Sequence, residues 1–176
     1  MKMFKKIMAV ALTAVMAVSM LTGCAVTNAI AEDKAEKALE NACKTVTGET
    51  VNFKSLKVDS SVTSPVKNDI KNGVIKVEDD KAYATTVKNG DKVYTVVVVT
   101  EPKSATTIEN WKHPAVNVLR AAFATTSSGI HLEGTTNKTA KVDVTVDIEG
   151  KDATDSTKKD TYAMFVFAAN DKAYNK

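Results

Sequence analysis

The strongest constraint on the fold is a hairpin pattern near the middle of the chain, where two β-prone runs flank Asn89 and Gly90. Ala82 to Lys88 precedes this pair, and Lys92 to Thr100 follows it. Asn-Gly predicts a two-residue type I′ turn, because both residues tolerate a positive φ. Val93 to Val99 is almost entirely apolar or β-branched, which is typical of a strand covered on both faces. We therefore expect a sheet with this strand at its middle.

Four further segments have the composition and spacing of strands. They are Val51 to Val62, Val74 to Glu78, Val142 to Ile148 and Thr161 to Ala169. The second should form a three-stranded meander with the hairpin, and Pro65 follows the first as a break. In the third, every second residue is apolar, so these side chains should share one buried face. A polar loop from Gly150 to Lys159 should join the last two strands as a hairpin connection.

Two helices are expected from apolar residues at helical spacing. The first starts near Glu32 and ends at Gly48, and the second has its main body from Ala115 to Thr125, after a break at Pro114. The order of elements predicts an α+β fold, an antiparallel sheet of five or six strands with two helices packed on it. Helices on one face of a curved sheet would resemble cystatin-like or NTF2-like architecture, although the chain carries no motif of either family.

The N-terminus has the organisation of an export signal. Lys2, Lys5 and Lys6 form a positively charged start, and the run from Ile7 to Leu21 is apolar apart from a threonine and a serine. A bilayer core requires about 20 apolar residues, so this run is short for a membrane-spanning helix. We therefore expect it to be cleaved.

The cleavage position decides how the mature protein is held. Leu21, Thr22, Gly23 and Cys24 resemble the lipobox of bacterial lipoprotein precursors. The resemblance covers residues 1–24 only. It implies that the signal is cut before Cys24, that the Cys24 thiol carries a diacylglycerol with chains such as palmitate, and that the protein is anchored outside the cytosol on the cell membrane.

A second cleavage pattern competes with the lipobox. Ala29, Ile30 and Ala31 match the Ala-x-Ala motif of an ordinary signal peptidase, which would cut before Glu32 and release a secreted, soluble protein. The lipobox is favoured, because Cys24 follows the apolar run at once. The expected organisation is a signal peptide over residues 1–23, a short tether over 24–31 and a single domain over 32–176.

Charge and cysteine content exclude several classes of function. The chain has 24 Lys and Arg against 21 Asp and Glu, and three of the lysines lie in the signal, so the mature protein is close to neutral. Neutrality gives no support for a nucleic-acid partner. If Cys24 carries lipid, Cys43 is a lone thiol that cannot form an intrachain disulfide, and we expect it to be a buried small hydrophobe.

The sequence contains no recognised nucleotide, zinc or serine-hydrolase motif, and we predict neither a metal nor a cofactor. His113 and His131 are the only histidines, and Asp152, Asp155 and Asp160 are interpreted as a solvated loop. The favoured function is a non-enzymatic module that binds an envelope ligand or a protein partner, with Trp111 and His113 as possible ligand-binding residues. The alternative is an exported hydrolase that uses His113 or His131.

Overall fold

The computed structural model describes residues 26–124, 129–135 and 138–169, which form an α+β fold with one mixed sheet of five strands and three helices. The elements in chain order are α1 (residues 26–47), β1 (Val51–Ser55), α2 (Ser60–Asn72), β2 (Tyr83–Asn89), β3 (Lys92–Thr100), α3 (Ile108–Ala124), β4 (Lys138–Lys151) and β5 (Lys159–Ala168). The strand order is β1-β4-β5-β3-β2. The α+β class and the five strands are confirmed.

The prediction of a purely antiparallel sheet is wrong, because β1 runs parallel to β4 while every other pair is antiparallel. A long connection through α2, the β2–β3 hairpin and α3 separates β1 from β4 along the chain, and such a crossover permits parallel pairing. The middle strand is also different from the predicted one. It is β5, with β3 beside it.

Helices cover both faces of the sheet, so the expected arrangement with helices on one face is wrong. One apolar core lies between the sheet and the helices α1 and α3, and it contains Trp111, Phe165 and Phe167. The other lies under α2, where Ile70 and Tyr162 are fully buried. Because β5 contributes side chains to both cores, all of its residues from 162 to 167 are buried, as predicted for a strand covered on both sides.

The helix α2 lies where the sequence predicts the end of a strand, at Val62, followed by a break at Pro65. Its N-terminus is capped by Asp59, whose side chain accepts a hydrogen bond from the Ser61 N–H at 2.8 Å. Val62, Val66 and Ile70 lie four residues apart and form its buried face. Pro65 is tolerated in the second turn because its fixed φ is helical, although it removes one backbone donor.

The hairpin between β2 and β3 is confirmed, but its turn type differs from the prediction. Asn89 pairs with Lys92, which places Gly90 and Asp91 at the centre of the turn. Of the central pair only Gly90 has a positive φ, at 60°. One positive φ at the first central position is the pattern of a type II′ turn, not type I′.

The segment from Val74 to Glu78 is irregular and adds no third strand to this hairpin. The backbone N–H groups of Val74 and Ile75 donate to the Asp69 carbonyl at 2.8 and 3.1 Å. These groups are thus bonded to the end of α2 and not to a neighbouring strand. The segment still packs on the sheet, because Ile75 and Val77 are buried. The three-stranded meander is therefore wrong, although the segment's apolar residues lie in the core.

A β-bulge in β4 changes which core its side chains enter. The pairing with β5 shifts register between Thr145 and Ile148, and Asp147 has a φ of 58°. Val146 consequently packs under α1 and α3, whereas Ile148 packs on the α2 side. The expectation that the alternating residues of this strand share one face fails at the bulge, because one extra residue reverses the alternation.

Both helices on the α1 side are longer than predicted. Residues 26–31, expected as a tether, are helical, and Ala31 is only 2% exposed. The reason is that Ala31 continues the buried stripe of Ala35 and Ala38 at helical spacing. Similarly, α3 runs without interruption through Pro114, so the predicted break is wrong. The end of α1 before Gly48 is confirmed, with Gly48 at a φ of 77°.

Candidate ligand-binding site

The lipobox residues Leu21, Thr22, Gly23 and Cys24 lie outside the described residues. The described chain begins two residues after Cys24, at Val26, already in α1. Within residues 26–124, 129–135 and 138–169, no helix is long and apolar enough to cross a membrane.

Trp111 is a core residue and does not line a surface groove. Its side chain is 0% exposed, and its ring packs edge to face with Phe165 at a centroid distance of 6.0 Å. The indole Nε1–H donates to the Ala105 carbonyl at 2.6 Å, which ties the β3–α3 connection to α3. The geometry gives Trp111 a structural function.

His113 lies on the surface of α3 and contacts the turn before β2. Its Nδ1 is 3.2 Å from Asp80 Oδ1, and the two side chains are 68% and 80% exposed. One helical turn later, the Asn117 amide donates to the Asp80 carbonyl at 2.9 Å. Asp80 has a φ of 63°, so the two α3 side chains hold a turn that has an unusual backbone conformation. His113 and Trp111 therefore share no groove.

His131 lies at a different place, before β4. Its backbone N–H donates to the Ala168 carbonyl at 2.9 Å, and its Nε2 is 4.0 Å from Glu133 Oε1. It lines a cleft that does not contain His113. The two histidines are not brought together, and a shared acid–base site is excluded.

A cleft with a volume of about 690 Å³ lies between the first turns of α1, the β3–α3 connection and the β4 bulge. Thr27, Asn28 and Ala31 form the α1 wall. Glu101 and Lys103 also line an adjoining cleft of about 590 Å³, which contains the contact between Asp80 and His113. The two clefts together make a broad concave surface at the end of the sheet where β3 ends and β5 begins.

Glu101 is an acid of this surface whose pKa is raised. Burial raises the pKa of its carboxyl, and the negative charge of Asp147 adds to the increase. A hydrogen bond from the Asp147 N–H to Glu101 Oε2, at 2.7 Å, acts in the opposite direction. The side chain thus satisfies a backbone donor that the bulge leaves without a strand partner.

Two glutamates of α1 likewise accept hydrogen bonds from backbone N–H groups of the sheet. Glu40 Oε1 accepts from the Phe53 N–H of the edge strand β1 at 3.2 Å. Glu32 accepts from the backbone of Val146, and its pKa is raised by burial and by the charge of Asp143. These carboxylates hold α1 on the edge of the sheet, a role that helical periodicity alone does not reveal.

The β4–β5 loop uses its acids to order its own backbone. Asp152 Oδ1 accepts from the backbone N–H groups of Thr154 and Asp155, and Asp155 Oδ1 accepts from the Thr157 N–H. Hydrogen bonds from these threonines lower the pKa of both carboxyls. Among the described residues, no group of three histidine, cysteine or acidic side chains is arranged to hold a metal ion.

Cys43 is buried, as expected. It is 0% exposed within α1, and its sulfur lies 3.7 Å from Thr47 Oγ1. Burial raises the pKa of the thiol, which keeps it in the unreactive protonated form.

No protein family model, curated protein or solved structure matches this chain. Function is therefore inferred from the chain's own residues.

Proposed function

We propose that this protein is an exported lipoprotein that is anchored to the cell membrane through Cys24 and carries a non-enzymatic binding module outside the cytosol. The observation that carries the proposal is Leu21-Thr22-Gly23-Cys24, which stands at the end of the apolar run and ends two residues before the first described residue of α1. A diacylated cysteine supplies two acyl chains, and two chains are sufficient for stable anchoring. Anchoring then requires no basic surface, in agreement with a mature domain of balanced charge.

The start of α1 supports cleavage before Cys24 over cleavage after Ala31. A chain beginning at Glu32 would lack residues 26–31, which are helical and include the buried Ala31. It would also lack Thr27 and Asn28, which form one wall of the cleft of about 690 Å³. A start at Cys24 retains all of these residues and leaves only Ala25 between the anchor and the described helix.

The surroundings of the histidines support binding over hydrolysis. Both members of the His113–Asp80 contact are more than half exposed, and together with Asn117 they hold a turn. A nucleophilic mechanism requires a hydroxyl or thiol within hydrogen-bond reach of the base. The hydroxyl side chain among the lining residues of that cleft, Thr100 Oγ1, donates to the Val77 carbonyl at 2.9 Å.

The alternative remains an exported hydrolase, and the Asp80 carboxylate near His113 is the observation in its favour. His113→Gln would abolish hydrolysis by such an enzyme while it leaves the fold intact, because the side chain is exposed. In a binding module, the same substitution weakens only the turn at Asp80.

Metabolic labelling with a fatty acid tests the proposed anchor. The native host should incorporate the label into the wild-type chain and into Cys43→Ala, whose substituted residue lies inside the fold, but not into Cys24→Ser. Cys24→Ser should also leave the membrane fraction or retain its uncleaved signal. Label that persists on Cys24→Ser, or wild-type protein without label, would contradict the proposal.

A further inference from the structure

A basic cleft of about 300 Å³ lies at one end of the sheet. The two adjoining clefts that contain Glu101 lie at the opposite end. The charged residues of the basic cleft come from four separate segments and are Lys57, Lys92, His131, Glu133 and Lys141. Its apolar lining residues include Leu56, Val93 and Ala168. Three lysines against one glutamate leave the cleft positively charged before any protonation of His131.

The single acid of the basic cleft is already engaged. Glu133 Oε1 lies 3.4 Å from Lys141 Nζ and 4.0 Å from His131 Nε2. Lys57 and Lys92 are exposed, and neither has an ion-pair partner within the described part of the chain. The cleft therefore presents two ammonium groups whose charge the described protein does not neutralise.

Two adjoining clefts at the end of the sheet where β3 ends are acidic, and a further cleft at that end is lined by lysines, of which Lys158 and Lys159 are paired with Asp155 and Glu149. Where β3 ends, the adjoining clefts contain six carboxylates and two lysines, the carboxylates being Asp79, Asp80, Glu101, Asp147, Asp152 and Asp160. Where β3 begins, Lys92 lines the basic cleft. The nine residues of β3 separate these ends by about 27 Å at the rise of a strand.

The N-terminal turns of α1 lie at the end of the sheet where β3 ends, because Thr27, Asn28 and Ala31 line the cleft of about 690 Å³ there. The other end of α1 leads to Glu49, whose carboxylate lies 2.6 Å from Lys138 Nζ at the start of β4, at the end of the sheet that carries the basic cleft. If Cys24 carries lipid, the basic cleft therefore faces away from the membrane surface.

We propose that the basic cleft binds the phosphate groups of an anionic polymer of the cell envelope. Lys57 and Lys92, whose ammonium groups have no ion-pair partner among the described residues, line one small cleft together with Lys141, and lysines on separate segments can donate to different oxygens of one phosphate. A planar carboxylate is better matched by the two parallel donors of an arginine, and Arg120, the only arginine, lies on α3 and not in this cleft. The apolar lining residues of the cleft offer contact for the carbon atoms that link successive phosphates.

The orientation in this inference rests on the proposed lipid anchor, but the binding chemistry does not. Isothermal titration of the native lipidated chain in neutral detergent with polyphosphate tests the binding, and the intact mass of the same sample reports lipidation separately. Polyglutamate is the matched carboxylate polymer. Glycerophosphoglycerol tests a lipid headgroup as the source of phosphate, and inorganic phosphate tests the free ion.

The decisive variants are Lys57→Gln/Lys92→Gln and the control Lys76→Gln/Lys103→Gln, which removes the same charge from exposed positions outside the cleft. We expect the first pair to weaken polyphosphate binding about tenfold or more, with a smaller salt dependence, and the control pair to change it less than about twofold. Equal loss in both pairs, or tighter binding of polyglutamate, would overturn the phosphate site. Binding of glycerophosphoglycerol or free phosphate as tight as that of polyphosphate would overturn the polymer assignment.

Discussion

Trp111 and His113 illustrate how a residue's position on its helix decides its function. The two lie two residues apart on α3, and such pairs point to different sides of a helix. Trp111 accordingly enters the core and binds the Ala105 carbonyl, while His113 remains on the surface beside Asp80. Their proximity in sequence suggested one ligand site, but helical geometry separates them.

The partly buried Glu101 predicts a specific dependence of stability on pH. Its raised pKa means that the folded state favours the protonated acid, so this residue's contribution to stability decreases as the pH rises through the folded-state pKa, above the ordinary glutamate value of about 4.3. Glu101→Gln retains an oxygen acceptor for the Asp147 N–H but cannot ionise. The urea midpoint of the variant minus that of wild type should therefore be larger at pH 7 than at pH 4.5.

Glu109→Gln is the matched control for this measurement, because it removes a glutamate whose side chain is 81% exposed. Its urea midpoint relative to wild type should not rise between pH 4.5 and 7. A Glu101→Gln variant that behaves like this control would show that burial of Glu101 does not affect folding.

The packing of α2 on β4 is the least predictable contact between elements, and Gly150 tests it. A Cβ at Gly150 would lie 2.7 Å from Ile70 Cγ2 and from Tyr162 Cε2, and 2.9 Å from the Ile70 carbonyl oxygen. Gly150→Ala should therefore lower the free energy of unfolding by about 1–3 kcal/mol, as measured by urea denaturation. A wild-type midpoint for this variant would mean that α2 does not lie against β4 there.

A double-mutant cycle makes this test specific to the α2–β4 contact. Ile70→Ala alone should be destabilising, because it removes a fully buried side chain, but it also removes one of the atoms that the new methyl group meets. The effects of Gly150→Ala and Ile70→Ala should therefore be less than additive. Gly48→Ala, where no atom lies within 4 Å of the added Cβ, should be additive with Ile70→Ala.

Elements with a strong local pattern were predictable, whereas elements that depend on capping or distant contacts were not. The hairpin strands β2 and β3 agree with the prediction to within one residue, because Asn89-Gly90 and the valine run specify them locally. The helix α2 was missed because Pro65 and β-branched residues resemble a strand and a break, while the Asp59 cap and the four-residue spacing of its buried side chains make it a helix.

The candidate sites were less predictable than the fold. Glu101 meets Asp147 only because a bulge in β4 turns the Asp147 N–H towards it, and the sequence gives no sign of that bulge. The lysines of the basic cleft come from separate segments that the sheet brings to one end. The prediction for Cys24, by contrast, depends only on four adjacent residues that resemble a lipobox, and it requires no tertiary contact.

In the whole molecule, the start of α1 and the basic cleft lie at opposite ends of the sheet. The first turns of α1 line a cleft at the end of the sheet where β3 ends, and the basic cleft lies at the opposite end. Charge that is balanced overall is thus unevenly distributed among the clefts, and we predict that a lipid on Cys24 would leave the basic cleft facing away from the membrane.

The most direct test of the account is the intact mass of the protein taken from the membrane fraction of its native host. We predict a chain that begins at Cys24 and carries the added mass of a diacylglycerol. Recovery of the protein from the culture fluid as an unmodified chain that begins at Glu32 would contradict the account.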